Sequence, residues 1–380
     1  MKSHNTPIHI LFCSRLVEEK GVDILLDVIR GSLEDFALDH IVWHIASDGL
    51  YEKQVEAVSQ GSSGRVVYHG KMNQQELAEL MRSADYLYMP SRFLETFGLT
   101  ALESIACGVP VIGIKKGGLM DFIDDSLAID ENKSVESTLD LLRKIMSGEI
   151  SIAKMNVLYF SEQNWEDRIK NLFPKEAKIF LLHDYLQRIG GAEAYIDFLS
   201  LHLPLLGYKT FRYSYTGSTS PIKRRIMFIV SLFAFWRGIG VYKMLKREEP
   251  THIWMHSVLR YFGYWGVRAV RRYANNHEKC RVFLSHHDVG FIAPFPQMVE
   301  REDQIPKSTN MSDFLLNLSG IRRCIAMVKW CYIHAMIQVM PKNMQHIVFS
   351  GFLKRHIENH FGGANVVVLP HTYDSAIFHP

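Results

Sequence analysis

The chain has 380 residues, 47% of them hydrophobic and 12% aromatic, with a formal net charge of +3. It is too long for one ordinary domain and comfortable for two, and its apolar content is that of a globular protein with full cores. Five cysteines (Cys13, Cys107, Cys280, Cys324, Cys331) lie in apolar runs without CxxC or Cys/His spacing. That excludes a zinc site and reads as buried free thiols in a reducing compartment. No basic-then-apolar signal segment opens the chain, so a cytoplasmic location is expected.

Residues 8–13 read as a β run, and 14–21 lead into a helix with apolar Ile24, Leu25, Val28 and Ile29. Arg15 and Lys20 sit in the turn at that strand's carboxyl end, where cations reach a diphosphate. Residues 41–46 form the next strand, ending in Ser47-Asp48-Gly49, and 66–69 another, followed by Gly70-Lys71 and a helix over 74–81. Then 85–89 read as a short buried strand, 90–97 as a loop, 98–106 as a helix closed by Cys107-Gly108, and 109–114 as the next buried strand. Lys116-Gly117-Gly118 follows it, and 134–146 form an amphipathic helix.

The unit from 85 to 114 carries the densest chemistry. Glu95 and Glu103, eight positions apart, flank a helix start. The backbone amides of Phe97, Gly98 and Leu99 would point outward from that N-terminus, which suits a phosphate. An anion site with a carboxylate on either side fits a nucleotide-sugar. In these residues, ETFGLTALESIACGVPVI, the chain resembles the family-4 glycosyltransferases, retaining enzymes of the two-domain GT-B fold. The Arg15-Leu-x-x-x-Lys20-Gly21 loop matches the same family. The resemblance implies that Arg15 and Lys20 hold the donor's phosphates, Glu103 the ribose hydroxyls and Glu95 the sugar hydroxyls. It also places Gly117 and Gly118 near sugar and phosphates, although Asp121 stands where the pattern usually reaches a glutamate.

Residues 160–173 resemble the closing helix of such an enzyme, yet the chain goes on. Residues 178–183 form a new strand, then come Gly190, Gly191 and a helix through 203, which is how a family member normally begins. Small residues there let the backbone approach a ligand. Residues 251–256 and 282–286 are further strands, the latter ending in His286-His287-Asp288. His287 matches the histidine that relatives place near the reacting centre, with His286 as the competing neighbour. The stretch 346–380 resembles the end of an acceptor domain and its hinge. The resemblance therefore covers nearly the whole chain with its halves exchanged, either by circular permutation or because the chain is cut from a longer protein.

The expected organisation is α/β with two Rossmann-like parallel-sheet domains facing a cleft: donor domain 1–173, linker 174–177, acceptor domain 178–369 and a hinge-like tail 370–380. The expected activity is metal-independent, retaining transfer from a UDP- or GDP-sugar to a glycan or lipid-linked acceptor. The nucleotide-sugar is a substrate, no cofactor is needed, and no Asp-x-Asp pair of the kind that metal-dependent transferases use is present. A nucleotide-sugar epimerase on the same fold and a non-catalytic nucleotide-binding fragment are the alternatives.

Charge adds a partner. Residues 1–175 hold 18 Lys and Arg against 26 Asp and Glu, whereas 176–380 hold 25 against 14, nets of −8 and +11. The basic half predicts an anionic surface or a phosphorylated acceptor; nucleic acid is disfavoured because no recognition motif accompanies the charge. Residues 226–236, IMFIVSLFAFW, are flanked by Lys223, Arg224, Arg225, Arg237, Lys243, Lys246 and Arg247. The run is too short to cross a bilayer, which takes ~20 residues. It reads as an interfacial helix for peripheral membrane attachment or as a buried helix with solvated ends.

Overall fold

The computed structural model describes residues 6–150, 157–185, 191–215, 231, 233–296, 299–316 and 318–380. The chain divides into two compact units. One comprises Met1–Trp165, Met298–Glu302 and His371–Pro380, the other Glu166–Gln297 and Asp303–Pro370. The division falls inside the Glu162–Leu172 helix, and the tail from His371 belongs to the leading unit.

The leading unit is built on a five-stranded sheet of order β3-β2-β1-β4-β5, all parallel. Its strands are β1 (Ile8–Phe12), β2 (Ile41–Ala46), β3 (Val66–Gly70), β4 (Tyr86–Met89) and β5 (Val111–Gly113). Ile10, Leu11 and Phe12 are all fully buried, as expected for a parallel strand covered on both faces. The covering is supplied by crossover helices. Val22–Glu34 buries Val22, Leu25, Val28 and Ile29, and its Ser32 accepts a hydrogen bond from Trp43 Nε1 at 3.1 Å. Gln74–Ser83 starts at a capping box in which Asn73 and Glu76 satisfy each other's amides. β5 is shorter than the apolar run predicts. The Val109 amide turns back to Ser104 O (2.9 Å), and Pro110 has no amide to offer the ladder.

The trailing unit has a six-stranded parallel sheet of order β11-β10-β9-β8-β6-β7. The strands are β6 (Lys178–Tyr185), β7 (Lys209–Tyr215), β8 (His252–His256), β9 (Arg281–His286), β10 (Gln345–Val348) and β11 (Val366–Val368). Both units are thus Rossmann-like α/β sheets, the architecture the sequence predicts. In each, strand order reverses beside the first strand, between β1 and β4 and between β6 and β8. At such switch points adjacent loops diverge and leave a crevice at the carboxyl edge.

Two readings need revision or fall outside this description. The cysteines are free, but only Cys107 is buried: Cys13 and Cys280 are half-buried, and Cys324 and Cys331 are exposed because they lie on an outward face of the Gly320–Gln338 helix. Most of the 226–236 run lies outside the described residues, as does Gly190. A helix, Phe235–Glu248, begins at its end. Among the described residues no helix is long and apolar enough to cross a membrane.

Candidate functional site

At the β1–β4 switch point three loops are stitched together. The loop after β1 ends at Gly21, whose left-handed backbone (φ 72°) and lack of a side chain are both needed there. A Cβ would stand 2.0 Å from Pro90 O, in the loop after β4. The Phe93 amide donates to Glu19 O at 2.9 Å, locking the same two loops. Lys20 then forms an ion pair with Glu95, and Ser91 Oγ donates to the same carboxylate oxygen at 3.1 Å. Arg92 is paired with Asp23 at the start of the following helix. The third loop, after β5, supplies Gly117 and Gly118. Cβ atoms there would meet Glu95 O at 2.4 Å and Phe97 Cα at 2.5 Å, and the Gly118 amide donates to Glu95 O at 2.6 Å. These glycines shape the Glu95–Phe97 backbone.

The helix Leu99–Ala106 opens from this loop. Its N-cap is Gly98, in the left-handed region (φ 102°), and among the described residues no side-chain cap closes its first turn. An uncapped helix N-terminus leaves donors and a partial positive charge for an anion. Phe97 anchors the turn by packing edge-on against Phe122, Phe160 and His371. Glu103, one turn in, is pushed up to about 7 by desolvation, and it acts electrostatically on Cys13 at the end of β1. Arg15 is solvent-exposed on the β1 loop. The structure thus brings Lys20, Glu95, Gly117 and Gly118 together, with Gly98 and Leu99 at the adjoining helix start.

In the trailing unit, sequence reasoning names Gly190, Gly191 and His287. Gly191 is exposed and begins the Gly191–Leu205 helix. His286 and His287 have separate fates. His286 is buried, stacked on His346 with Nε2 2.8 Å from His346 Nδ1, whereas His287 is half-buried among Tyr195, Phe349 and His256.

The carboxyl edge of the same sheet carries groups that sequence reasoning passed over. Asp184, at the end of β6, accepts from the amides of Arg260 (2.6 Å), Tyr261 (2.9 Å) and Phe262 (3.0 Å), just ahead of the Gly263–Asn275 helix. Burial pushes its carboxyl up to about 6 despite these donors. His183 Nδ1 lies 3.1 Å from His256 O, and its Nε2 lies 3.5 Å from Glu193 Oε1. A carbonyl only accepts, so Nδ1 carries the proton. A signal for this cluster was available: the predicted strands 178–183, 251–256 and 282–286 each end in histidine, and parallel pairing gathers such ends at one edge.

Comparison with known proteins bears on the leading unit. Residues 2–158 match the family described as Glycosyl transferases group 1. The D-inositol 3-phosphate glycosyltransferase of Arthrobacter sp. (strain FB24) is 34% identical over 136 residues, covering 34% of this chain and 32% of that protein. A GDP-mannose-dependent monoacylated alpha-(1-6)-phosphatidylinositol monomannoside mannosyltransferase of Corynebacterium glutamicum is 27% identical over 187 residues, covering 46% and 48% respectively. Among solved structures, the C-terminal domain of a glycosyl transferase group 1 family protein from Francisella tularensis is 21% identical, with a TM-score of 0.33 over 37% of this chain and 77% of that one. The chain spans about a third of the length of the first curated relatives it matches. The match to Glycosyl transferases group 1 thus takes in the whole five-stranded sheet of the leading unit.

Proposed function

We propose that the protein is a retaining glycosyltransferase that moves a sugar from a UDP- or GDP-sugar to a glycan or lipid-linked hydroxyl. The observation that carries this reading is the Lys20–Glu95–Ser91 cluster beside an uncapped helix N-terminus at the β1–β4 switch point. As the donor's diphosphate leaves, negative charge grows on it while the sugar becomes oxocarbenium-like. Lys20, Arg15 and the amides at 97–99 would stabilise the first, and Glu95 would orient the sugar through its hydroxyls. Glu103 would take the ribose hydroxyls. The transfer as proposed needs no metal and no cofactor, since these groups already meet the charge that develops.

The trailing half would supply the acceptor, with His287 beside the reacting hydroxyl. In this reading 1–173 is the donor domain, 174–177 a linker, 178–369 the acceptor domain and 370–380 a hinge-like tail, with the family's usual order exchanged. Packing of the tail in the leading unit supports the exchange: Arg82 donates to Ile377 O at 2.9 Å, and Thr372 Oγ1 to Phe160 O at 2.9 Å. A chain rearranged to begin at 178, with 380 joined to 1, should fold and bind the same donor; loss of binding would overturn the exchange.

A nucleotide-sugar panel tests the transferase reading. The matching donor at saturating excess should stabilise the protein by roughly 3 kcal/mol. Its consumption should depend on added acceptor and be lost in Lys20→Ala. Donor turnover without acceptor would replace transfer by epimerisation, and binding without any turnover would reduce the protein to a nucleotide-binding module.

We also place the basic trailing half at an anionic lipid surface, where a lipid-linked acceptor would reside. The Gly320–Gln338 helix supports this: Ile321, Ile325 and Val328 are exposed beside exposed Arg322 and Arg323. Vesicle flotation is the test.

A further inference from the structure

The end of β8 bears on what His287 can do. His256 is fully buried, and its Nδ1 lies 3.1 Å from His287 Nε2. One nitrogen of that pair donates and the other accepts, so the tautomer of one ring dictates that of the other. The second nitrogen of His256, Nε2, is buried with no hydrogen-bond partner among the described residues.

Two considerations choose between the arrangements. If His256 carried its proton on Nε2, a donor would be buried with nothing to receive it, which native proteins avoid more strictly than an unmet acceptor. The surroundings also favour a lone pair at that nitrogen. The cationic Arg212 and His183 act on His256 electrostatically, and the rings of Trp254, Tyr195 and His287 pack against it. Arg212 is itself held by Asp197 and Ser214, and leaves Nη2 as a buried donor without a partner among the described residues. His256 is therefore the Nδ1–H tautomer and donates to His287.

We propose that His256 is a positioning residue that fixes His287 as its Nδ1–H tautomer, with Nε2 engaged as an acceptor and closed to service as a base. The proposal rests on the transferase reading only for its consequence: His287 can offer the reacting groups a hydrogen bond but cannot take the acceptor's proton through Nε2. Protonating His287 would either set two N–H groups face to face or force His256 to move its proton to the unpartnered Nε2.

Long-range ¹⁵N–¹H correlation of the imidazoles in the full chain at pH 8 is the test, with the His287 signals assigned by their loss in His287→Gln. We expect His287 to show a protonated Nδ1 and a bare Nε2 in the wild-type protein. His256→Leu removes the donor and should shift His287 to the Nε2–H form common in free imidazole. His256→Asn, whose amide N–H can stand near Nδ1, should restore the wild-type pattern. With donor and acceptor, His256→Leu should lower kcat by up to ~100-fold with the donor KM unchanged, and His256→Asn should recover most of it. A wild-type His287 protonated on Nε2 overturns the proposal, and so does a His256→Leu spectrum that leaves the tautomer in place. The predicted tautomers in a protein that turns over no nucleotide-sugar would leave this inference standing and remove the transferase reading instead.

Discussion

Lys20 and Glu95 are 75 positions apart in the chain yet share an ion pair across the β1–β4 crevice, with both side chains mostly shielded from water. The resemblance assigns the cation to phosphate and the carboxylate to sugar hydroxyls, so the two halves of a donor would be gripped by groups that otherwise hold each other. A bound donor must then share or divide this pair. Lys20→Ala and Glu95→Ala should each lower transfer at least ~100-fold, as loss of an electrostatic stabiliser does. Because each single change strands its partner, the double variant should lose less stability than the sum of the two. A double-mutant cycle in urea measures this, and additive losses would mean that the pair carries no coupling.

Glu103 gives a pH signature. Its carboxyl titrates near 7 in the folded chain against 4.5 for an unperturbed group, because it is desolvated. Between those values the folded state holds a proton that the unfolded state has released. Stability therefore falls as pH rises through that window, by roughly 3 kcal/mol once both states are ionised. Glu103→Gln should flatten the profile and raise stability at pH 8. If the carboxylate accepts from ribose hydroxyls, wild-type nucleotide affinity should increase above pH 7, and Glu103→Gln should lose affinity there. Calorimetry of nucleotide binding at pH 6 and pH 8 checks both signs.

Much of this was legible in the sequence, for reasons that particular residues make clear. Residues 41–46 and 134–146 are predicted with the boundaries the structure gives, since a strand apolar at every position but His44 and a strongly amphipathic helix leave little choice of register. β7 (KTFRYSY) passes unnoticed because it is an edge strand whose residues alternate between polar and aromatic and stay mostly half-buried. The Lys20–Glu95 pair was also hidden. Each residue matches a separate motif, and only the parallel pairing of β1 with β4 puts their loops side by side. Asp184 was invisible for a related reason: its amide partners at 260–262 are recruited through β6–β8 pairing, which no local pattern announces.

Acid should unfold this protein steeply. Desolvation lowers His44, His252, His346 and His360 to about 4 and His371 to about 3, from an ordinary 6.5. These rings stay neutral in the fold but charge in the unfolded chain, so stability is present above pH 6.5 and is lost as pH falls toward 4. The urea midpoint should drop sharply across that interval. His360→Leu removes one such ring, whose Nδ1 is buried without a partner among the described residues, and should make the pH slope shallower by about one proton. An unchanged slope would mean that His360 is hydrated in solution.

The last prediction concerns lipid. Ile321, Ile325 and Val328 recur at helical spacing and are 77%, 51% and 53% exposed, and Phe235 and Trp236 on a second helix of the same unit are 55% and 54% exposed. Leaving such side chains in water forfeits roughly 1.5–3 kcal/mol each relative to burial, so the face has an energetic reason to find a cover. Arg322 flanks the stripe on the same helix, and a basic residue near an anionic surface contributes about 1 kcal/mol. Anionic lipid satisfies both terms at once, whereas a neutral bilayer satisfies only the first. The protein should float with anionic vesicles and not with neutral ones, and the bound fraction should fall as salt is raised. Ile321→Asp with Ile325→Asp should abolish flotation with nucleotide binding intact, because neither position lies in the leading unit. If wild-type protein stays with the soluble fraction and sediments as a dimer that the same double change dissociates, the cover is a second copy of the chain and the lipid assignment fails.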